Sequence, residues 1–175
     1  MNHDTAMPRL VFAALLGAAV AILGTALASQ YLGGLKPCQL CLWQRYPYAV
    51  VIGLAGAGFG LARVPGMPLR LLAALAGLIA LALVTDAAIA AFHVGVEQHW
   101  WKGLAGCTGE TGAATTAADL ARQLKATAVT RCDEVAWSFL GISMAGYNFL
   151  AAGALALFAA AATRRMWRAT KGDAP

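Results

Sequence analysis

The sequence predicts an all-α membrane protein, a four-transmembrane-helix bundle with a long periplasmic loop that carries a short amphipathic helix. Of the 175 residues, 60% are hydrophobic and only 12% are charged, which is too apolar for a soluble domain of this size. Four apolar runs are long enough to cross about 30 Å of hydrocarbon. Because lipid offers the backbone no hydrogen-bond partners, we expect these runs to be helices.

The four predicted spans form a single integral membrane domain that covers 1–175. The spans cover about 10–31, 43–62, 70–91 and 138–162, and the periplasmic loops cover about 32–42 and 92–137. The first span ends near an Ala26-Leu27-Ala28 sequence of the signal-peptidase type, but its apolar run is longer than a usual signal core, so we expect it to be retained. In the second span, Gly56-x-x-x-Gly60 predicts a close helix contact.

Basic residues cluster at one set of span ends, which predicts the orientation of the protein. These seven residues are Arg9, Arg63, Arg70, Arg164, Arg165, Arg168 and Lys171. The positive-inside tendency makes that side cytoplasmic, together with both termini. All four cysteines then lie on the periplasmic side of a bacterial inner membrane, where disulfides form. The net charge of +5 forms no continuous basic stripe with interleaved aromatic residues, so we expect the lipid bilayer and no nucleic acid as a partner.

The segment from Pro37 to Tyr48 contains a Cys38-x-x-Cys41 pair at the mouth of the second span. If the segment is helical, both sulfurs lie on one face, and Arg45 shares that face four residues after Cys41. A guanidinium there favours thiolate over thiol, and a helix that starts at Pro37 adds its positive dipole end. The pattern predicts reactive sulfur. A structural disulfide, or half of a zinc site, is the alternative.

The third span contains an acidic residue, Asp86, in an apolar surrounding. A carboxylate at such depth is treated as functional by default, although it lies close enough to the span end to reach water or a neighbouring helix. If the helix continues, His93 and Glu97 lie on the same face, seven and eleven residues further on. This face would then form a line of proton-carrying groups.

The long loop opens with Trp100 and Trp101, which suggest contact with the membrane surface, and contains Cys107 and Cys132. Between these cysteines, Thr116-x-x-Asp119 predicts the cap of the short amphipathic helix. Four thiolates would suffice for zinc, but 24 residues separate this second pair, which is unusual for such sites. Two structural disulfides would not explain why one cysteine pair lies at the mouth of a helix beside Arg45. A relay of two exchangeable pairs accounts for both the two pairs and this position.

The combined motifs resemble one known family. These motifs are Pro37-Cys38-x-Leu40-Cys41-x-x-x-Arg45, the later cysteine pair, and Cys132-x4-Trp137-x-Phe139-Leu140-Gly141-x-x-Met144, and they look like the disulfide bond formation protein B (DsbB) family. The resemblance implies a quinone-dependent thiol oxidoreductase with four membrane helices. Such an enzyme takes electrons from a periplasmic DsbA-like oxidase of thioredoxin fold and passes them to ubiquinone or menaquinone in the membrane pool.

The resemblance also implies residue roles. Cys41 would lie next to the quinone ring with Cys38 as its disulfide partner, whereas Cys107 would be attacked by the soluble oxidase. Cys132 would be the partner of Cys107 and would then exchange with Cys38. Family positions near the quinone match Arg45, Met144 and a histidine, for which we prefer His93 over His99. The alternative function is a non-catalytic membrane protein with structural disulfides or a metal-binding cysteine cluster.

Overall fold

The computed structural model of the chain describes residues 3–104, 116 and 130–172, and these are mostly helical. The elements are α1 (His3–Tyr31), α2 (Gln39–Trp43), α3 (Arg45–Leu61), α4 (Leu69–Glu97), β1 (Ser138–Phe139), β2 (Ile142–Ser143) and α5 (Met144–Ala169). The predicted helical class is therefore confirmed. Cys107 and the part of the predicted amphipathic helix that follows Thr116 lie outside the described residues.

Three of the described helices, α1, α4 and α5, are long and apolar enough to cross a membrane. Helix α3 has 17 residues, so it rises about 26 Å, slightly less than a usual hydrocarbon core. The membrane character of the predicted fold is confirmed for the three long helices. That α3 forms a fourth span remains a prediction.

The helices pack in a series in which α1 contacts α3, α3 contacts α4, and α4 contacts α5 most extensively. At the α1–α3 interface Gly58 is buried, and a Cβ on it would overlap the ring of Phe12. The predicted contact at Gly56 and Gly60 is wrong, because a Cβ at either position would meet no described atom within 4 Å. The close approach of α1 and α3 therefore occurs at Gly58, which lies on the buried face of α3 between Gly56 and Gly60.

Two contacts establish which helix ends lie together. The Arg9 Nε donates to the carbonyl oxygen of Ala62 at 3.0 Å, which places the start of α1 beside the end of α3. A Cβ on Gly77 of α4 would lie 3.5 Å from the side chain of Thr163, so the first part of α4 packs on the last part of α5. The basic residues of these ends therefore share one end of the molecule, and α2 with its cysteines lies at the other.

Helix α5 begins at Met144, later than the predicted span start near residue 138. The intervening residues form a hairpin in which β1 and β2 pair antiparallel around Leu140 and Gly141. Both turn residues have positive φ, 49° and 78°, as a two-residue hairpin turn requires. Ser143 then caps α5, because its Oγ accepts the backbone N–H of Gly146 at 3.1 Å.

Candidate active site

Two thiols lie at the start of α2. Cys38 immediately precedes this helix, and its Sγ accepts the backbone N–H of Cys41 at 3.4 Å. The two Sγ atoms are 3.1 Å apart, and both residues are free thiols. Because a disulfide needs an S–S distance of about 2.05 Å, only a small movement separates this pair from a closed disulfide. Cys38 is buried, whereas Cys41 is half-buried.

The two sulfurs differ in acidity. The Cys38 thiol donates its hydrogen bond to the sulfur of Cys41, and this lowers the pKa of Cys41 below that of an ordinary cysteine. The same hydrogen bond, followed by burial, raises the pKa of Cys38 to about 12. Cys41 therefore ionises first. The cause is the neighbouring thiol, whereas the sequence suggested Arg45 and a helix dipole, and α2 has only five residues to build such a dipole.

Cys132 joins this pair from the loop before β1. It is completely buried and belongs to the same apolar cluster as Cys38, Leu40 and Val96, against which Cys41 packs. A negative charge on Cys132 would raise the pKa of Cys41, which reflects the same proximity. Three of the four predicted redox cysteines thus lie together, and the fourth, Cys107, lies outside the described residues.

A buried histidine faces these sulfurs. Helix α4 continues to Glu97, so His93 lies on it with Nε2 3.5 Å from the Sγ of Cys38. Its Nδ1 is 2.9 Å from the side-chain nitrogen of Gln44, and its Nε2 is 3.9 Å from a Glu97 oxygen. His99 is exposed beyond the helix end with a φ of 58°. The structure therefore places His93, and not His99, beside the cysteines.

Arg45 is the first residue of α3, and only part of its guanidinium is satisfied. Its Nη1 donates to Oε1 of Gln30, near the end of α1, at 2.5 Å. Its Nε is buried and has no hydrogen-bond partner among the described residues. A buried donor without a partner costs roughly 1–3 kcal/mol, so this N–H favours a ligand with an acceptor.

A cavity of about 740 Å³ opens between α1, the α2–α3 segment, α5 and residues 130–137. Its sulfur-containing and polar lining includes Cys38, Cys41, Gln44, Arg45, Tyr48, His93, Glu97, Met144 and Asn148. Ligand sites commonly measure about 300–1,000 Å³ and combine apolar walls with a few polar groups. The cavity thus brings Cys41, His93 and the predicted ligand-side residues Arg45 and Met144 to one space.

Sequence reasoning missed the polar groups deeper in the bundle. Tyr48 is buried and donates to Oδ1 of Asn148 at 2.7 Å. Asp86 is completely buried and accepts from Nδ2 of Asn148 at 2.9 Å, so it contacts a neighbouring helix and does not reach water. The available signal was the i, i+4 spacing of Gln44 and Tyr48 together with Asn148 inside an apolar run.

The same residues offer ligands to a metal ion. One ligand atom each from Cys38, Cys41 and His93 lies within 4.8 Å of the others. Two thiolates and an imidazole suit zinc, which takes sulfur and nitrogen ligands at about 2.0–2.3 Å. The predicted alternative of a metal-binding cysteine cluster therefore has a geometric basis.

Comparison with known proteins identifies the family. The family model of disulfide bond formation protein DsbB matches residues 8–162. The disulfide bond formation protein B of Polaromonas sp. (strain JS666) is 31% identical over 159 residues, which cover 90% of this chain and 91% of the relative. That of Azoarcus sp. (strain BH72) is 28% identical over 162 residues, 86% of this chain and 89% of the relative. No solved structure matches the chain. With a family match over most of its length, the chain belongs to the disulfide bond formation protein B (DsbB) family.

Proposed function

We propose that this protein is a quinone-dependent disulfide oxidoreductase that reoxidises a DsbA-like periplasmic oxidase of thioredoxin fold. Family membership supports the role in disulfide formation. The observation that carries the finer proposal is the position of the Cys38–Cys41 dithiol beside a cavity that Arg45 also lines, where the buried Nε of Arg45 has no hydrogen-bond partner among the described residues. A dithiol and an acceptor-binding cavity are the two parts that electron transfer from thiols to a quinone requires.

The cavity residues fit a quinone. Arg45 supplies a donor for a carbonyl oxygen, Cys41 supplies the sulfur that ionises first, and Met144 and His93 line the same space. A bound ubiquinone or menaquinone would accept two electrons and two protons. Arg45, His93 and Met144 would hold such a quinone in the cavity that Cys41 also lines, and apolar side chains of α1 such as Ile22 would exclude water from it.

The cysteines act as a relay in this proposal. A partner thiolate attacks Cys107, the Cys107–Cys132 bond breaks, and the second partner thiol completes the partner's disulfide. The thiolate of Cys132 then attacks the sulfur of Cys38, and Cys41 leaves as a thiolate. Attack by Cys107 on Cys132 releases Cys38, which leaves Cys38 and Cys41 as the reduced pair. The burial of Cys132 and Cys38 in one cluster supports the exchange between them.

An acceptor stronger than an ordinary dithiol carrier is required by the energetics. A DsbA-type oxidant has a potential near −120 mV, against roughly −180 to −270 mV for common disulfide carriers. Oxidation of such a partner by those carriers would therefore be uphill by about 3 to 7 kcal/mol. A membrane quinone removes this obstacle, which makes the cavity beside Cys41 central to the proposal.

The proposed arrangement has four spans in a bacterial inner membrane, of which α3 is the shortest. The basic residues lie at the end of the bundle that contains the start of α1 and the end of α3, and this end is cytoplasmic, as are both termini. The cysteine end is then periplasmic. There a soluble oxidase reaches the loop between α4 and α5, and quinone enters from the bilayer.

The experiment that tests this function mixes the purified, reduced protein anaerobically with ubiquinone or menaquinone. We expect quinone absorbance to fall while two thiols disappear for each quinone reduced, because the couple transfers two electrons. Cys41→Ser should abolish the reaction. Thr85→Val serves as the control, because the hydroxyl of Thr85 donates to the carbonyl oxygen of Leu81 in its own helix. Unchanged thiol counts with both quinones would contradict the proposal.

A second candidate function, zinc binding, is favoured by the ligand atoms of Cys38, Cys41 and His93. If this is the function, the protein as purified should contain about one zinc per chain and lose it in His93→Ala. Oxidation of the dithiol by quinone in zinc-free samples would then be absent. The two candidates therefore give opposite results in the quinone assay.

A further inference from the structure

A chain of buried and partly buried hydrogen bonds runs from the cysteines into the bundle. It links His93 to Gln44 at 2.9 Å, Gln44 to Asn148 at 2.8 Å, and Asn148 to Asp86 at 2.9 Å. The members come from α4, from the junction of α2 and α3, and from α5. Neither the relay of cysteines nor the quinone cavity requires the distant end of this chain, so its role needs a separate explanation.

The direction of these hydrogen bonds starts at Asp86. Nδ2 of Asn148 donates to Oδ2 of Asp86 at 2.9 Å, so the amide nitrogen of Asn148 faces this carboxyl group. The other amide atom, Oδ1, accepts the hydroxyl hydrogen of Tyr48 at 2.7 Å. The same Nδ2 also donates to Oε1 of Gln44. Asn148 is thus held in one of its two amide orientations by groups on both sides.

The orientation of Gln44 follows, and it determines where His93 carries its proton. Because Oε1 of Gln44 is used as the acceptor for Asn148, its Nε2 must face His93. An amide nitrogen only donates, so Nδ1 of His93 accepts and the ring hydrogen of the neutral imidazole lies on Nε2. That N–H faces the Sγ of Cys38 at 3.5 Å, with a Glu97 oxygen at 3.9 Å.

We propose that Asp86, Asn148 and Gln44 are positioning residues that hold His93 as its Nε2–H tautomer, so that it donates a hydrogen bond to the Cys38 thiolate. The use of this hydrogen bond rests on the proposed function. When Cys107 attacks Cys132, the Cys132–Cys38 bond breaks and its electron pair goes to Cys38 as a thiolate. The Nε2–H stabilises this leaving group, whereas the opposite tautomer would present it with a lone pair.

The competing role is structural, because buried polar groups also join helices within a membrane. Removing Asp86 would weaken the bundle under either role, so stability alone does not separate them. Gln44→Glu does. Glutamate has the size of glutamine and still accepts from Asn148, but its carboxylate cannot donate to Nδ1 of His93. The carboxylate instead accepts a hydrogen bond from Nδ1–H, which reverses the tautomer without leaving a cavity.

The test is nitrogen NMR of the ¹⁵N-histidine-labelled full chain, with the His93 signal identified by its loss in His93→Asn. At a pH where the ring is neutral, we expect the wild type to carry hydrogen on Nε2 and Gln44→Glu to carry it on Nδ1. Asp86→Leu should give a mixture of both tautomers, because the direction of the chain is no longer fixed. Thr85→Val, next to Asp86 but exposed, should match the wild type.

A second readout is the alkylation rate of Cys38 in chains whose other cysteines are serine. A hydrogen bond to a charged group is large enough that Gln44→Glu should slow alkylation roughly tenfold or more. Nδ1–H in the wild type, or Nε2–H in neutral Gln44→Glu, would overturn the inference. Neither measurement uses quinone or partner. A protein that gives the expected tautomers but never reduces quinone would therefore refute the proposed function and leave the tautomer assignment standing.

Discussion

The Nε of Arg45, which has no hydrogen-bond partner in the described part of the chain, leads to the sharpest prediction for quinone kinetics. Arg45→Lys keeps a positive charge but removes the N–H at the Nε position and the planar arrangement of donors. A hydrogen bond to a charged group contributes about 1.5–3 kcal/mol. At about 1.4 kcal/mol per factor of ten, its loss should lower kcat/KM for quinone by roughly 10- to 150-fold. The main change should be a higher apparent KM, and Arg45→Ala should exceed Arg45→Lys.

The assay is anaerobic quinone reduction by the reduced protein in detergent, with the quinone concentration varied. Arg63→Lys is the matched control, because it makes the same change at the opposite end, where the guanidinium lies 3.8 Å from the ring centre of Phe59. Gln30→Leu tests whether Arg45 acts only through its Nη1 contact with α1. If Gln30→Leu reproduces the full loss of Arg45→Ala, the contact with Gln30 explains the effect. Wild-type kinetics in both Arg45 variants would refute a role in quinone binding.

Three other predictions concern the cysteines. Cys38→Ala removes the thiol that donates to Cys41, so the pKa of Cys41 should rise and its thiolate should appear only at higher pH. The pH profile of iodoacetamide labelling measures this pKa, and an unchanged midpoint would contradict the prediction. In Cys132→Ser, the thiolate of Cys107 should attack the disulfide of the oxidised partner, and the resulting mixed disulfide should accumulate on non-reducing gels because Cys132 is not there to attack Cys107 and release the partner. Membrane-impermeant maleimide should label the reduced cysteines in cells with an intact inner membrane. If it labels them only after that membrane is opened, the cysteines are cytoplasmic and the proposed orientation is wrong.

Local pattern and composition predicted the parts of the structure that depend on neighbours in sequence. The apolar runs around α1, α4 and α5 predicted long helices, since burial in lipid leaves the backbone no alternative. The third span was predicted to end near residue 91, and a longer helix was considered only as the condition under which Asp86, His93 and Glu97 share a face; α4 continues to Glu97. The hairpin before α5 was missed because Leu140 adopts a positive φ, which side chains other than glycine rarely do.

Contacts between distant segments could not be predicted in the same way. Helical spacing placed Asp86 and His93 on one face, but nothing local indicates that Asn148, 62 residues from Asp86, completes the polar chain. The same limit applies to Gly58, which is distinguished from Gly56 and Gly60 only by the ring of Phe12. The motif located the two neighbouring thiols, whereas the difference in acidity between them depends on which thiol donates to the other.

The burial of the two sulfurs gives a physical reason for a relay in the proposed function. Cys41 is half-buried beside the cavity, whereas Cys38 is only 4% exposed, lies beside His93 and belongs to the same apolar cluster as Cys132. Disulfide exchange needs a thiolate to approach a sulfur directly, and a folded oxidase cannot bring its cysteine to a side chain so enclosed. An intermediate cysteine on a loop of the protein itself meets that requirement. The enclosure of Cys38 that keeps the partner away is therefore what makes Cys132 necessary.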